Sequence, residues 1–484
     1  MPVLNFLTTQ DTSFQFSTIG FWAVFIVFFA FYLSVRKRNR ALMMSYVICF
    51  GLLVSLKTNG WAMLFLPATA LVSWAMTEKM KQAEGRRKRA WLTATVIIDL
   101  IPLIYLKYTD FLIGSLNSLI GSNFALQHLI LPVGLSFYTF QAISYSVDVF
   151  KGKISYDVEL LEYCFYITFF PLLFAGPIVR ADTLVPQLRQ RKHVSNRLVN
   201  TGFWLVVLGL LKKGLVADYI AEYNNWIFDD PTGYSGFEVL MGTIGFHVQL
   251  YCDFSGYSDM SIGLAAIMGL QLLPNFDFPY KSLNVTEFWR RWHISLSTWF
   301  RDYLYIPLGG NRRGEGRTYL NNFVTMLVAG LWHGASWMFV IWGAMHGAAL
   351  VAHKWCKQKF LAKIPDTRTV KVCSWLLTMI FVWAAWTIFR SKDMATVGQL
   401  FSQIFTDFSW DYLVPFVKAR SMWTVFTFGA LVLHALVSFK VHDRVKTWVV
   451  DSHWIVKLII FAVTVQLVIN FSSDSVQPLL YTQF

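Results

Sequence analysis

Charge is scarce in this 484-residue chain, where Asp, Glu, Lys and Arg make up 14%, and acid is scarcer still, with 28 carboxylates against 42 basic residues. Cysteine is rare as well. The five, Cys49, Cys164, Cys252, Cys356 and Cys373, form no CxxC and no pairing pattern, and most lie in or beside apolar runs, so they read as small core hydrophobes rather than a disulfide framework. No Cys or carboxylate completes a ligand spacing with the histidines, and no metal is expected. The stretch Asp253-Phe254-Ser255-Gly256-Tyr257-Ser258-Asp259 is not the GxSxG elbow of a serine hydrolase. Residues 1–17 are polar and lack a basic n-region, so they do not read as a cleavable signal peptide. Internal repeats and low-complexity linkers are also missing, and a single domain over 1–484 is expected.

What is abundant is apolar surface: 55% of residues are hydrophobic and 17% aromatic, with a mean hydropathy of +0.47. Apolar runs of about 17–20 residues recur, the length that crosses about 30 Å of hydrocarbon as a helix with its backbone bonds satisfied internally. The expected fold is therefore all-α, a polytopic membrane protein of about 10–12 membrane segments with re-entrant or interfacial helices. A net charge of +14 would point to nucleic acid in a soluble protein. Here Lys and Arg sit in short connections between apolar runs, the positive-inside pattern, so the partner is a bilayer and no nucleic acid is expected. Basic loops at 36–40 and 79–89 read as cytoplasmic and place the N-terminus outside.

Runs at about 19–35, 41–56, 61–77 and 90–107 read as four spans, 108–130 as a weaker interfacial stretch, and 131–149 as a fifth span. The run 160–178 has cytoplasmic-looking sequence on both sides and breakers at Pro171, Gly176 and Pro177, which predicts a re-entrant or in-plane segment beside a wet cavity. A span at 198–216 is followed by an external loop with Asp218, Glu222, Asp229 and Asp230, and apolar sequence from 237 to 273 leads to the basic region 281–317. Two short arms, 319–331 and 337–352, and spans at 373–389, 422–439 and 454–471 complete the chain.

Two stretches combine histidine with tryptophan: Phe288-Trp289-Arg290-Arg291-Trp292-His293-Ile294-Ser295-Leu296-Ser297 and Leu331-Trp332-His333-Gly334-Ala335-Ser336-Trp337. Asn284 with Glu287 has the form of a capping box, and Trp289, His293, Leu296, Phe300 and Tyr303 recur at spacings of three and four, predicting an amphipathic helix at the cytoplasmic surface with His293 on its apolar side. His333 falls at the tip of the hairpin formed by the two short arms. A histidine in such a dehydrated place can take a proton from an attacking hydroxyl, a role worth about 10²–10⁴ in rate, and it can equally be a core residue bonded to a backbone carbonyl. His346 and His353 are seven apart on one arm, and a metal site with His333 is conceivable on that spacing alone; His128, His193, His247, His434, His442 and His453 lie near loops or isolated in spans. Arg290, Arg291, Arg301, Arg312 and Arg313 can hold the phosphates of an acyl-CoA or an acidic carrier, or contact anionic lipid headgroups. Asp253 and Asp259 can bind arginine partners or orient a histidine.

The chain resembles the membrane-bound O-acyltransferases, and within them the bacterial branch of alginate O-acetylation proteins. The resemblance rests on Pro132–Gln141, Phe174–Ile178, Tyr251–Asp259, Asn284–Arg312 and Leu331–Gly347, a motif-bearing core at about 130–350. It implies a helical rim around a thin centre with a tunnel, in which a cytoplasmic thioester meets an acceptor from the other side. It implies His333 as the essential histidine and His293 as the second; Trp289, Trp292, Arg290, Arg291, Arg301, Asp253, Asn311 and Trp332 are the candidates for contact with the substrates. It further implies a bacterial inner membrane location, acetyl-CoA as donor with no tightly bound cofactor, and an extracytoplasmic acetyltransferase partner acting on a polysaccharide. A related branch takes D-alanine from a carrier-protein thioester. Two rival functions remain at this level: a polysaccharide or lipid transporter gated by the histidines, and a scaffold that recruits an extracytoplasmic enzyme.

Overall fold

The computed structural model describes residues 16–190, 194–360, 364–471 and Leu480, so residues 1–15 and His193 lie outside the described residues. The described residues are mostly helical and include no strand, and their contacts divide the chain into two compact units. The first holds the described residues up to Gly202 together with Met260–Leu273; the second holds Phe203–Asp259 and the described residues from Pro274 onward.

The first unit begins with α1 (Ile19–Arg38), α2 (Arg40–Asn59), α3 (Phe65–Lys81), α4 (Gly85–Ile120) and α5 (Leu135–Phe150). Thr18 and Asn39 cap the first two helices through their side-chain oxygens. Polar groups within this unit are bonded across helices: Ser73 donates to Asp99 at 3.1 Å, Tyr163 donates to Ser73 at 3.1 Å, and the hydroxyls of Thr77 and Ser146 lie 2.8 Å apart. Such bonds fix helix register where apolar packing alone is permissive. Helix α4 corrects one expectation. It does not stop near 107 but runs on to Ile120, and the polar residues that weakened the hydropathy signal bind the returning strand of chain: Asp110 accepts from Gln127 N and His128 N, and Asn117 accepts from Phe124 N.

The stretch 160–178 forms only a nine-residue helix, α6 (Leu160–Thr168), then a single 3₁₀ turn at Phe170–Leu172. Nine residues span about 14 Å, less than half the hydrocarbon thickness, which is the length of an in-plane or re-entrant segment. Its irregular backbone is buried in protein, with Phe170 packed edge-on against Phe28 and Phe50 and Gly51 lying directly against the Thr168 carbonyl. Helix α7 (Ala181–Arg189) and the start of α8 (Asn196–Leu210) follow.

In the second unit α8 passes through a π-helical segment, Leu211–Ala217, into α9 (Asp218–Asp229). The expected loop at Asp218 is therefore helix. The cause is a buried ion cluster: Lys213 Nζ lies 2.7 Å from Asp218 and 2.6 Å from Asp253, while Lys212 lies 2.7 Å from Asp259. Asp253 and Asp259 belong to α10 (Gly236–Ile267), whose Gly256 permits contact with this segment, since a Cβ there would sit 2.8 Å from Lys213 N. Two short helices, α11 (Val285–Arg291) and α12 (Ile294–Phe300), precede the hairpin of α13 (Glu315–His333) and α14 (Trp337–Lys359). The hairpin arms touch through glycines, because a Cβ on Gly343 would lie 2.6 Å from the Met326 carbonyl. After them come α15 (Arg368–Arg390), α16 (Met394–Thr406), α17 (Leu413–Ala419), α18 (Ser421–Leu436), α19 (Phe439–Asp451) and α20 (Trp454–Phe471).

Among the described residues, four stretches are long and apolar enough to cross a membrane, Gly20–Arg38, Arg40–Lys81, Arg368–Arg390 and Trp454–Phe471, and the pair α17–α18, bent by 104°, makes a fifth if taken together. Other long helices carry buried polar groups, such as Asp99 in α4 and Asp253 in α10.

Candidate active site

His333 is the last residue of α13. Gly334 follows in extended conformation, and Ser336 restarts the chain as the cap of α14, its Oγ accepting from Met338 N at 3.2 Å. The glycine is required by space: a Cβ at 334 would enter the Phe339 ring. The imidazole of His333 is buried edge-on among Trp332, Trp342 and Phe389, with ring centroids at 5.0, 5.0 and 5.4 Å. The tip position read from the sequence is thus where the histidine stands, at the end of a helix and inside an aromatic enclosure.

His293 departs from its expected setting. Instead of one amphipathic helix there are two seven-residue helices, and His293 lies at the break with φ +43° and ψ +56°, a left-handed conformation that a non-glycine residue adopts at a cost. It is fully buried, not at a surface. Asn275 explains why the break holds. Its backbone carbonyl accepts from Ile294 N at 2.9 Å, and its side-chain Oδ1 accepts from Ser295 N at 3.1 Å and Ser295 Oγ at 2.9 Å. The same Oδ1 is 3.2 Å from His293 Nδ1. Because Ser295 N–H identifies that atom as the oxygen, Nδ1 must be the donor and carry the proton, which leaves the imidazole lone pair on Nε2. Burial pushes the His293 pKa down, to about 3, so the ring is neutral at ordinary pH.

Trp332 lies beside both histidines, its ring 6.2 Å from His293 and 5.0 Å from His333. A third histidine, on the second arm of the hairpin, also joins this cluster. His346 is fully buried on α14, accepts from Trp289 Nε1 through Nδ1 at 3.2 Å, and packs on Trp342 at 4.7 Å. Its Nε2 has no hydrogen-bond partner among the described residues. Trp342 thereby touches His333 on one side and His346 on the other, and Trp386 stacks on Trp342 at 5.6 Å.

Two helical turns along α14 from His346, His353 shares a hydrogen bond of 2.8 Å with Thr286 Oγ1 and lines an open cleft of about 580 Å³. Arg290, Arg291, Lys357, Asn284, Glu287 and Asp277 complete it. Within the cleft Arg291 is already held by Glu287 at 3.0 Å and Asp277 at 3.3 Å, so Arg290 and Lys357 are the cations for which the structure gives no ion pair among the described residues. Other expected site residues lie apart from the cleft. Arg301 is exposed and paired with Asp302, Asn311 is exposed on a turn, Asp253 is committed to Lys213, and Trp292 packs against Trp386 at 5.0 Å as part of the aromatic core. No group of three or more His, Cys, Asp or Glu side chains among the described residues is arranged to hold a metal ion.

Asn275 carried no local signal in the sequence, since its bonds to His293 and Ser295 reach 18 and 20 residues along the chain. His346 did carry one: it stands four residues after Trp342 and seven before His353, on one helix face.

Comparison with known proteins extends this geometry. Over 335 residues, 68% of this chain, it is 41% identical to a probable alginate O-acetylase of Pseudomonas aeruginosa, and the match spans 63% of that protein. It is 36% identical over 367 residues to a peptidoglycan O-acetyltransferase of Helicobacter pylori, covering 69% of each, and 28% identical over 311 residues to a teichoic acid D-alanyltransferase of Bacillus subtilis, covering 61% of this chain and 77% of that one. The model of the membrane-bound O-acyltransferase family matches residues 112–398, which include every residue of the histidine and tryptophan cluster and of the adjoining cleft, and the chain belongs to that family.

Proposed function

We propose that this protein is an O-acyltransferase of a bacterial inner membrane that moves an acetyl group from a cytoplasmic thioester, acetyl-CoA, toward an extracytoplasmic polysaccharide hydroxyl, working with a separate extracytoplasmic acetyltransferase. The observation that carries this reading is the series along α14 and its neighbours. A cleft with Arg290 and Lys357 stands at one end, His346 and Trp289 follow, and Trp342 leads to His333. A donor with phosphates and a reactive thioester has the same polarity, anionic at one end and apolar at the reacting end.

In this reading Arg290 and Lys357 hold the phosphates of the donor by charge-assisted hydrogen bonds. The aromatic walls exclude water, which would otherwise hydrolyse the thioester. His333 accepts the proton of the attacking hydroxyl as its oxygen forms a bond to the acyl carbon; the carbon–sulfur bond breaks and the thiolate leaves, taking up a proton. His293, locked by Asn275, positions Trp332 and the acyl group rather than exchanging protons. The acetyl reading is favoured over D-alanyl transfer by the fall in identity from 36–41% for the O-acetylases to 26–28% for the D-alanyltransferases.

Thiol release tests the reading. Membranes containing the protein and its acceptor system should liberate CoA thiol from acetyl-CoA in proportion to acetylated product. Movement of polysaccharide or lipid with no thiol released would replace the enzyme with a transporter.

A further inference from the structure

His346 is a buried titratable group that the chemistry assigned to His333 leaves without a task. Trp289 Nε1 lies 3.2 Å from its Nδ1. An indole nitrogen only donates, so Nδ1 is the acceptor, the ring is neutral, and its one proton sits on Nε2. That Nε2–H is buried on α14 and has no hydrogen-bond partner among the described residues.

Two more donors in the same condition stand beside it. Trp342 Nε1 and Trp386 Nε1 are buried and have no hydrogen-bond partner among the described residues. The Trp342 ring lies 4.7 Å from His346 and 5.0 Å from His333, and the Trp386 ring lies 5.6 Å from Trp342 and 6.2 Å from His346. Phe381 packs on His346 at 5.1 Å and Phe389 on Trp342 at 5.3 Å, so the donors sit among aromatic rings. A single buried N–H left unpaired is uncommon and costly, and three in one cluster ask for a ligand that accepts.

The composition of the cluster selects that ligand. A sugar hydroxyl would bring a proton of its own, and an anion would have to shed its water between apolar walls. A carbonyl oxygen only accepts, and its two lone pairs match two N–H groups. We propose that His346 Nε2–H and Trp342 Nε1–H donate hydrogen bonds to the carbonyl oxygen of the acyl group, an inference that rests on acyl transfer being the reaction. As the attacking oxygen bonds to the acyl carbon, the carbonyl electron pair moves onto that oxygen, and both hydrogen bonds strengthen. When the carbon–sulfur bond breaks, the pair returns to re-form the carbonyl. No proton passes to or from the two donors, and His333, on the other side of Trp342, handles the hydroxyl proton. Donors already in place need no rearrangement as the charge develops.

The carbonyl stretch of bound acetyl-CoA tests this directly. Full-length protein purified in detergent is titrated with acetyl-CoA by calorimetry, and infrared difference spectra with and without an isotope label at the acyl carbon isolate the thioester band. In the wild type that band should lie below its position in a hydrocarbon solvent. His346→Phe and Trp342→Phe, which keep a ring and lose the N–H, should each raise it, and His346→Gln, which keeps a donor, should hold it low. In transfer assays His346→Phe should lower kcat by about 10²–10³ with the KM for acetyl-CoA little changed. A wild-type band at the hydrocarbon position, or a band unmoved in either folded variant, overturns the donor pair and leaves acyl transfer standing. Where gel filtration shows that a variant has not folded, the wild-type band decides alone. Acetyl-CoA that does not bind at all overturns the donor assignment of the proposed function together with this inference.

Discussion

His293 and His333 stand on either side of one tryptophan yet are held by opposite means. His293 is fixed by polar bonds to Asn275 and by a left-handed backbone that only a network of that kind sustains. His333 is enclosed by aromatic rings at a helix terminus, where the neighbouring chain resumes after three residues. In the proposed function the difference separates holding from reacting. A group with its tautomer and backbone both fixed serves best as a template, whereas proton transfer needs a ring held in a dry pocket beside the reacting hydroxyl.

The largest effect expected is at His333. His333→Ala should lower acetyl transfer by about 10²–10⁴, the range for loss of a general base, with membrane accumulation unchanged by immunoblotting. His293→Gln tests the other half of the comparison. It should raise the KM for the thioester more than it lowers kcat, and a kcat loss as deep as that of His333→Ala would erase the distinction drawn between the two.

Asn275→Ala comes next, because it strips the bonds that hold the break between α11 and α12. It should destabilise the second unit by about 1–3 kcal/mol, read as a lower unfolding midpoint in detergent, and should reproduce the KM effect of His293→Gln. Arg290→Ala and Lys357→Ala should each raise the KM for acetyl-CoA several-fold, whereas Arg301→Ala and Asn311→Ala, whose side chains stand outside the cleft, should change it by less than about twofold.

The smallest effect concerns pH. Because burial lowers the His293 pKa from 6.5 to about 3, the folded state favours the neutral ring. The stability tied to that neutral burial is complete above the unfolded value near 6.5 and is lost progressively as pH falls from there toward 3. His293→Gln should flatten this part of the stability profile between pH 6.5 and 4.5, and an unchanged slope would show that other groups govern it.

Much of this was legible in the residues themselves. The apolar runs fixed the helical class, and the WHG motif between two short arms placed His333 at a hairpin tip, because hairpin geometry is local. The environment of His293 was not legible. Spacings of three and four describe a continuous helix, and the break is imposed by Asn275 across 18 residues, which no periodicity records. Asp253 illustrates the same limit: read beside Ser255 and Asp259 it suggests a site, but its lysine partner lies 40 residues earlier on a π-helical segment. His346 stands on an apolar arm in the sequence, and only the fold brings Trp289 and Trp342 against it.

One measurement reaches the centre of the account: transfer of label from acetyl-CoA to extracytoplasmic polysaccharide in cells carrying wild type, His333→Gln or His293→Gln at matched membrane levels, with donor concentration raised to saturation. Saturating donor should restore most of the activity of His293→Gln and none of that of His333→Gln. Restoration of His333→Gln, or full activity at ordinary donor levels, would contradict the assignment of the chemistry to His333.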